Sequence, residues 1–138
     1  KDYQQLMVIR RLVRDLDMPV QVVGCPTVRE PDGLAMSSRN AYLTPAQRAQ
    51  ALSLYRGLCE ARRRVREGER DPAAIEAVVR QTLLSAGPVV IDYASVVDAE
   101  SLQPVTVIDR PVVVAVAARI GATRLIDNLR VDPRAPGD

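Results

Sequence analysis

Two short clusters in this sequence carry residue types suited to handling an anion. The first is Lys1-Asp2-Tyr3-Gln4-Gln5. If a helix starts at the first residue, Lys1 and Gln5 are four apart and share a face. A cation and an amide one turn apart can hold a phosphate together with a hydroxyl or carboxylate. The second cluster is Met36-Ser37-Ser38-Arg39-Asn40. Two hydroxyls beside an arginine fork, with backbone N–H groups free in a loop, form a phosphate cradle. As bare patterns, the first also reads as a solvated helical turn and the second as an ordinary polar loop.

Other chemistry is narrowed by what the sequence lacks. It contains no His, which removes the commonest general base, the Ser-His and Cys-His dyads and most zinc sites. Cys25 and Cys59 are far apart and in no metal or redox spacing, so each reads as a small buried hydrophobe, and the low count fits a reducing cytoplasm. The 19 basic and 17 acidic residues leave a net charge of +2. That balance does not argue for a nucleic-acid or anionic-membrane partner. Arg62-Arg63-Arg64 is a local exception, read as a solvated face near a helix C-terminus, where the macrodipole favours cations. No apolar run is long enough to span a bilayer. Asp127 stands in an otherwise apolar strand pattern and is expected to pair with Arg124 or Arg119.

The elements that must position these residues follow from periodicity and turn chemistry. With 138 residues, 47% of them hydrophobic, the chain can bury one core, built from Val, Leu, Ile and Ala because Phe and Trp are absent. Leu6, Ile9, Val13 and Leu16 form a helical stripe that Pro19 stops, and Val20 to Val23 reads as a short strand. Helix, turn and apolar strand make one unit of a parallel α/β sheet without its earlier strands. The chain opens without Met on this pattern, and reads as starting inside a domain.

Residues 27 to 43 are a loop by composition, with Pro31, Asp32-Gly33, two Ser and an Asn. Thr44, Pro45 and Gln47 make a capping box with proline in the first turn, predicting a helix to about Glu67 that ends at Gly68. Asp71-Pro72 starts a second helix, with Ile75, Val78, Val79 and Leu83 on its buried face and Gly87 after its end. Three strands follow, Val89 to Asp98, Val112 to Arg119 and Thr123 to Val131. Gly121-Ala122 links the last two as an antiparallel pair. The expected class is α+β, a helical hairpin with a small three-stranded antiparallel sheet. The expected division is residues 1–27 as a remnant of another domain, 28–132 as the main domain and 133–138 as a flexible tail.

Three separated blocks, KDYQQ near the start, DGLAMSSRN in the loop and VAARIGATRLIDN near the end, resemble the pantothenate synthetase family in order and spacing. The match runs from Lys1 to about Asn128. The resemblance implies that residues 1–27 belong to a Rossmann-like nucleotidyltransferase domain and 28–132 to a C-terminal lid. It implies a ligase that joins pantoate to β-alanine with ATP, through a pantoyl adenylate, releasing pyrophosphate and then AMP. By position, Ser37, Ser38 and Arg39 bind the ATP phosphates, Lys1 stabilises charge on the α-phosphate, and Gln5 hydrogen-bonds pantoate. Asp2 lies near the nucleotide or β-alanine, and Val28 and Met36 hold the adenine through backbone groups. Mg²⁺ is implied as well, with ligands mainly in the family's N-terminal half, as are an HxGH motif that this sequence lacks and a dimer formed through that half. Positioned cations and donors are what a step with a pyrophosphate leaving group needs, with no protein nucleophile. The isolated chain is expected to be inactive. The alternative is a non-catalytic module that uses the Arg62–Arg64 helix on RNA or another acidic partner.

Overall fold

A computed structural model describes residues 1–134. The elements, in chain order, are α1 (Tyr3–Asp15), a 3-10 turn (Ser38–Tyr42), α2 (Pro45–Arg66), α3 (Pro72–Leu84), β1 (Val90–Asp98), β2 (Val112–Ile120) and β3 (Thr123–Val131). The strands form one antiparallel sheet in the order β1-β2-β3. On one face of it, α3 packs against β1 and α2 against β3 and β2, and the two helices pack on each other.

Local sequence explains these boundaries. Thr44 Oγ1 accepts from Gln47 N–H while the Gln47 side chain accepts from Thr44 N–H, so the predicted capping box is complete. At the other end of α2, Glu69 N–H reaches Arg64 O and Gly68 N–H reaches Val65 O, a Schellman closure that needs the positive φ of Gly68. Asp71 caps α3 with Pro72 in its first turn.

The core contains Leu54, Leu58, Ile75, Leu83, Val114 and Ile120, all almost fully buried. Removing an aliphatic side chain of this size from water is worth about 2 kcal/mol. The buried face expected for α3 holds at Ile75, Val79 and Leu83, whereas Val78 is half-buried at its rim. Strand β2 is buried on both faces, because Val113 and Ala117 are shielded as well as the core residues between them. That is why its sequence runs apolar without alternation. A bulge between Ile91 and Tyr93 turns Asp92 to meet Arg119 at 3.3 Å and Arg124 at 2.6 Å. Edge strand β1 has its Val96 N–H covered by Glu76 Oε1 at 2.9 Å.

The N-terminal segment departs from expectation. The helix forms, with Asp2 as its N-cap, and closes by a Schellman pair from Asp17 and Met18 before Pro19. Val20 to Val23 is not a strand. A strand needs a ladder partner, and among the described residues none pairs with this run. No residue of α1 is buried: Ile9 and Leu16 of the expected stripe are 42% and 65% exposed. Cys25 is exposed and Cys59 half-buried, both unpaired, so only Cys59 approaches the buried role expected of each. At the other end, Pro133 and Arg134 form a turn held by Arg134 N–H on Asp132 and by the Arg134 guanidinium on Asp109 O. The rest of the expected tail lies outside the described residues. No helix among the described residues is long and apolar enough to cross a membrane.

Candidate functional site

The loop that composition leaves shapeless is a small hairpin. Met36 N–H donates to Val28 O at 3.0 Å, Arg29 and Ala35 form a β-bridge, and Glu30 N–H donates to Leu34 O at 2.8 Å. Asp32-Gly33 makes its turn. Asp32 accepts from Leu34 N–H, and Gly33 has φ +98° with the Tyr55 ring packed so close that a Cβ would stand 2.3 Å from it. Asp-Gly between two extended runs is a hairpin signal. Val28 and Met36, predicted to bind adenine, therefore lie side by side with paired backbones and exposed side chains.

Arg29 locks this hairpin to the domain. Its guanidinium grips both oxygens of the buried Asp127, Nη1 to Oδ2 at 2.6 Å and Nη2 to Oδ1 at 2.9 Å, donates to Gly33 O, and lies 4.0 Å over the Tyr55 ring. Burial opposes the charge on Arg29, but its hydrogen bonds to Asp127 and their mutual attraction outweigh it and hold the pKa up. This corrects the expected partner of Asp127: Arg119 and Arg124 are taken by Asp92 across the bulge. Sequence spacing cannot reveal a partner 98 positions away.

Downstream of the hairpin, Ser37 caps the 3-10 turn, its Oγ accepting from Arg39 N–H at 3.2 Å. The hydroxyl keeps its own proton to donate. Asn40 braces the same turn through Nδ2 to Ala35 O at 3.1 Å. Ser38 and Arg39 are exposed, and the Arg39 guanidinium makes no ion pair among the described residues. It lines an open groove of about 550 Å³ with Tyr42, Gln47, Thr123 and Arg124, beside the β2–β3 link.

Lys1, the sole lysine in the chain, reaches this turn from the other side. Asn128 Nδ2 holds its carbonyl at 2.6 Å, and with Ser37, Asn40 and Asp127 it lines a small cavity. Burial pushes the Lys1 pKa below its ordinary value; Asp127 pulls it back up and Arg39 adds to the depression. Helix α1 begins only at Tyr3, so Lys1 precedes the N-cap and does not share a helical face with Gln5 as spacing suggests. Asp2 is the cap itself, accepting Gln5 N–H at 3.1 Å, and Gln5 is exposed one turn along. The structure therefore brings together Lys1, Ser37 and Arg39, and leaves Asp2 and Gln5 on the helix beside them. Arg29 and Asn128, which support this set, carry no short-range sequence signal that marks them; Asn40 stands in the Met36–Asn40 cluster, where composition gives it no role of its own.

A larger groove of about 850 Å³ lies apart from these residues, between α1 and the sheet, lined by Tyr3, Met7, Arg10, Asp98, Arg110 and Arg130 among others. Tyr3 Oη crosses its end to Ala99 O at 2.8 Å. Of the charged residues in its lining, Arg110 is bound to Asp98 and Asp109, whereas Arg10 and Arg130 make no ion pair among the described residues. In α2, Arg63 and Arg64 are likewise paired, with Glu60 and Glu67, which diminishes the basic face on which nucleic-acid binding would depend. No group of three or more His, Cys, Asp or Glu among the described residues forms a metal site.

Comparison with known proteins matches this geometry to one family. A family model described as Pantoate-beta-alanine ligase matches residues 1–130. A pantothenate synthetase of Thermotoga neapolitana is 56% identical over 128 residues, which is 93% of this chain and 46% of the relative. One of Pseudomonas fluorescens is 53% identical over 136 residues, 99% of this chain and 47% of the relative. The crystal structure of pantothenate synthetase from Thermus thermophilus superposes with a TM-score of 0.88 at 46% identity, covering 94% of this chain and 46% of that one. A pantoate-beta-alanine ligase from Francisella tularensis, complexed with beta-gamma ATP and beta-alanine, superposes at 0.59 with 28% identity, covering 99% of this chain and 42% of that one. The chain spans about half the length of the relatives it matches, and with a family model covering residues 1–130 it belongs to the pantoate-beta-alanine ligase family.

Proposed function

We propose that this chain is the C-terminal half of an ATP-dependent ligase that condenses pantoate with β-alanine through a pantoyl adenylate, giving pantothenate, AMP and pyrophosphate. The observation that carries the reading is that Ser37 caps the 3-10 turn bearing Arg39, whose guanidinium makes no ion pair among the described residues, while Lys1 lines a small cavity with Ser37 on the other side of that turn. Two cations and a hydroxyl grouped around one turn suit a bound anion. In this reading Arg39, Ser37 and Ser38 bind the phosphates and Lys1 meets charge growing on the α-phosphate. Backbone groups of Val28 and Met36 hold the adenine, Gln5 faces pantoate, and Asp2 orients this end of α1. The family's Mg²⁺ has no matching acidic cluster among the described residues, and no step is routed through it.

In the same reading residues 28–132 are a lid that closes over the nucleotide. Residues 1–27 complete a Rossmann-like domain whose strands, dimer contacts and further pantoate ligands lie in the other half. The unpaired cysteines fit a cytoplasmic setting. On its own the chain has no ligase activity, because half of the enclosing groups are missing.

The test mixes this chain with the N-terminal half of the Thermotoga neapolitana relative and follows AMP release with ATP, pantoate, β-alanine and Mg²⁺. We expect activity that needs both halves and both acids, and that falls about 10²- to 10³-fold with Arg39→Ala. Halves that associate without producing AMP overturn the proposal, as does an Arg39→Ala mixture that works normally.

A further inference from the structure

Asn40 holds an unexplained atom. Its Nδ2 is used on Ala35 O, but its Oδ1 is buried with no hydrogen-bond partner, the sole such side-chain atom among the described residues. A buried acceptor left unpaired is costly, and native structures rarely keep one without a reason. Asn40 lines the small cavity with Lys1, Ser37 and Asp127, a space of about 10 Å³. That is close to the size of one water.

The other groups around the cavity define what such a water meets. Asp127 already takes both Arg29 nitrogens and Asn128 N–H, yet as a carboxylate it has about four acceptor sites and so retains one. Lys1 offers three ammonium protons. The charged groups acting on Lys1 are Asp127 from β3, Arg39 from the 3-10 turn and Asp2 from its own segment.

We propose that Asn40 is a positioning residue for the Lys1 ammonium, acting across a single water that accepts from Lys1 Nζ and donates to Asn40 Oδ1 and the Asp127 carboxylate. Three hydrogen bonds then satisfy the orphaned oxygen and fix the direction of the ammonium. The 3-10 turn that carries Ser37 and Arg39 is thereby tied to the residue placed opposite it. The role deepens the proposed ligase reading and rests on it for its use in catalysis; the contact itself does not.

The test exploits the single lysine. In this chain carrying isotopically labelled lysine, the Lys1 Cε signal is followed through its alkaline titration by carbon NMR, for the parent chain, Asn40→Ala and Asn40→Asp, with thermal melts to confirm folding. An acceptor favours the charged amine, so losing it lowers the pKa and replacing it by a carboxylate raises it. We expect Asn40→Ala to move the midpoint down by about 0.5 unit and Asn40→Asp to move it up by about 0.5 unit or more. Asn40→Asp adds a negative charge that raises the midpoint in any arrangement, so the downward shift of Asn40→Ala is the discriminating result. An Asn40→Ala midpoint that is unmoved or raised in the folded variant overturns the inference. The titration needs no enzyme activity. A ligase assay in which Lys1→Ala is fully active would defeat the functional reading alone and leave this result standing.

Discussion

Residues 1–27 and residues 28–132 both show apolar residues at regular spacing, yet only the second region buries them with its own chain. In α2 and α3 the stripe meets the sheet, and Leu58, Ile75 and Leu83 are fully buried. In α1 a stripe of similar spacing, Leu6, Ile9, Val13 and Leu16, has no buried member. The two helix types differ little in local design: each has a side-chain N-cap and a C-terminal closure. What differs is the layer opposite. Periodicity states that a helix has a face to bury, and it does not state whether the partner is in the same chain.

The largest effect that would sharpen this contrast comes from ion pairs. Arg29 and Asp127 are 15% and 3% exposed, whereas Arg11 and Asp15 on α1 are 73% and 50% exposed. Removing one member of a buried pair leaves an uncompensated charge, so Arg29→Ala should cost about 3 kcal/mol in urea unfolding, near the low end for such pairs because Arg29 retains some solvent. Arg11→Ala should leave the midpoint unchanged, since exposed pairs contribute little. Equal effects would mean that the hairpin is not locked to β3 as described.

Helix caps give a smaller test. Thr44→Ala removes the capping box of α2, a helix on which the core depends, and should lower stability by about 1 kcal/mol. Asp2→Ala removes the equivalent bond of α1. It should reduce helical circular dichroism without moving the cooperative melt, because no residue of α1 is fully buried in the core that the melt reports. A common shift in both variants would show that α1 unfolds with the domain.

Acid should act on the folded region through Asp98. Its carboxylate accepts from Ser101 and Glu100 N–H, Ser101 Oγ and Arg110 Nε. The backbone bond from Ser101 and the pairing with Arg110 hold its pKa well below the usual carboxylate range. Glu60, paired with Arg63 and Arg64, is held at about 2. A depressed carboxylate contributes stability above its unfolded value, about 4, and loses it as pH falls toward the folded value. Melting temperature should therefore decline below about pH 4, and more shallowly in Asp98→Asn. A slope unaffected by Asp98→Asn would locate the acid sensitivity elsewhere.

The same contrast explains what sequence could reveal of this molecule. The helical hairpin and the three strands were legible because their signals are local: Thr44 with Gln47, Asp71-Pro72, the glycines after each helix, and Gly121 at the link. Ser37 and Arg39 stood out as a type of cluster, and the resemblance of three blocks gave them a role. The 28–36 hairpin was half visible in Asp32-Gly33 and hidden by the polar residues around it. The Arg29–Asp127 grip, the Asn128 bond to Lys1 and the orphaned Asn40 oxygen are products of tertiary closure, joining residues that no periodicity relates. Val20 to Val23 failed for the opposite reason. Its β-branched run satisfies every local requirement of a strand, but a ladder is a property of two segments.

The smallest expected effect is the one most diagnostic of the N-terminal region. Leu16, the last residue of the stripe and the C-cap of α1, is 65% exposed, so Leu16→Ser in this chain removes little buried area and should change stability by less than about 0.5 kcal/mol. If, as proposed, the N-terminal half of a relative packs on this helix, it supplies a layer opposite the stripe. The same substitution should then weaken association, by about 1–2 kcal/mol if the side chain becomes mostly buried. Titrating the two halves against each other with and without Leu16→Ser separates the outcomes. A near-neutral change alone and a clear loss in the pair would show that the stripe is an interface written into the sequence and used only between halves. Equal, small changes in both settings would mean that α1 presents another face to its partner, and that its apolar side chains contribute solubility risk without structure.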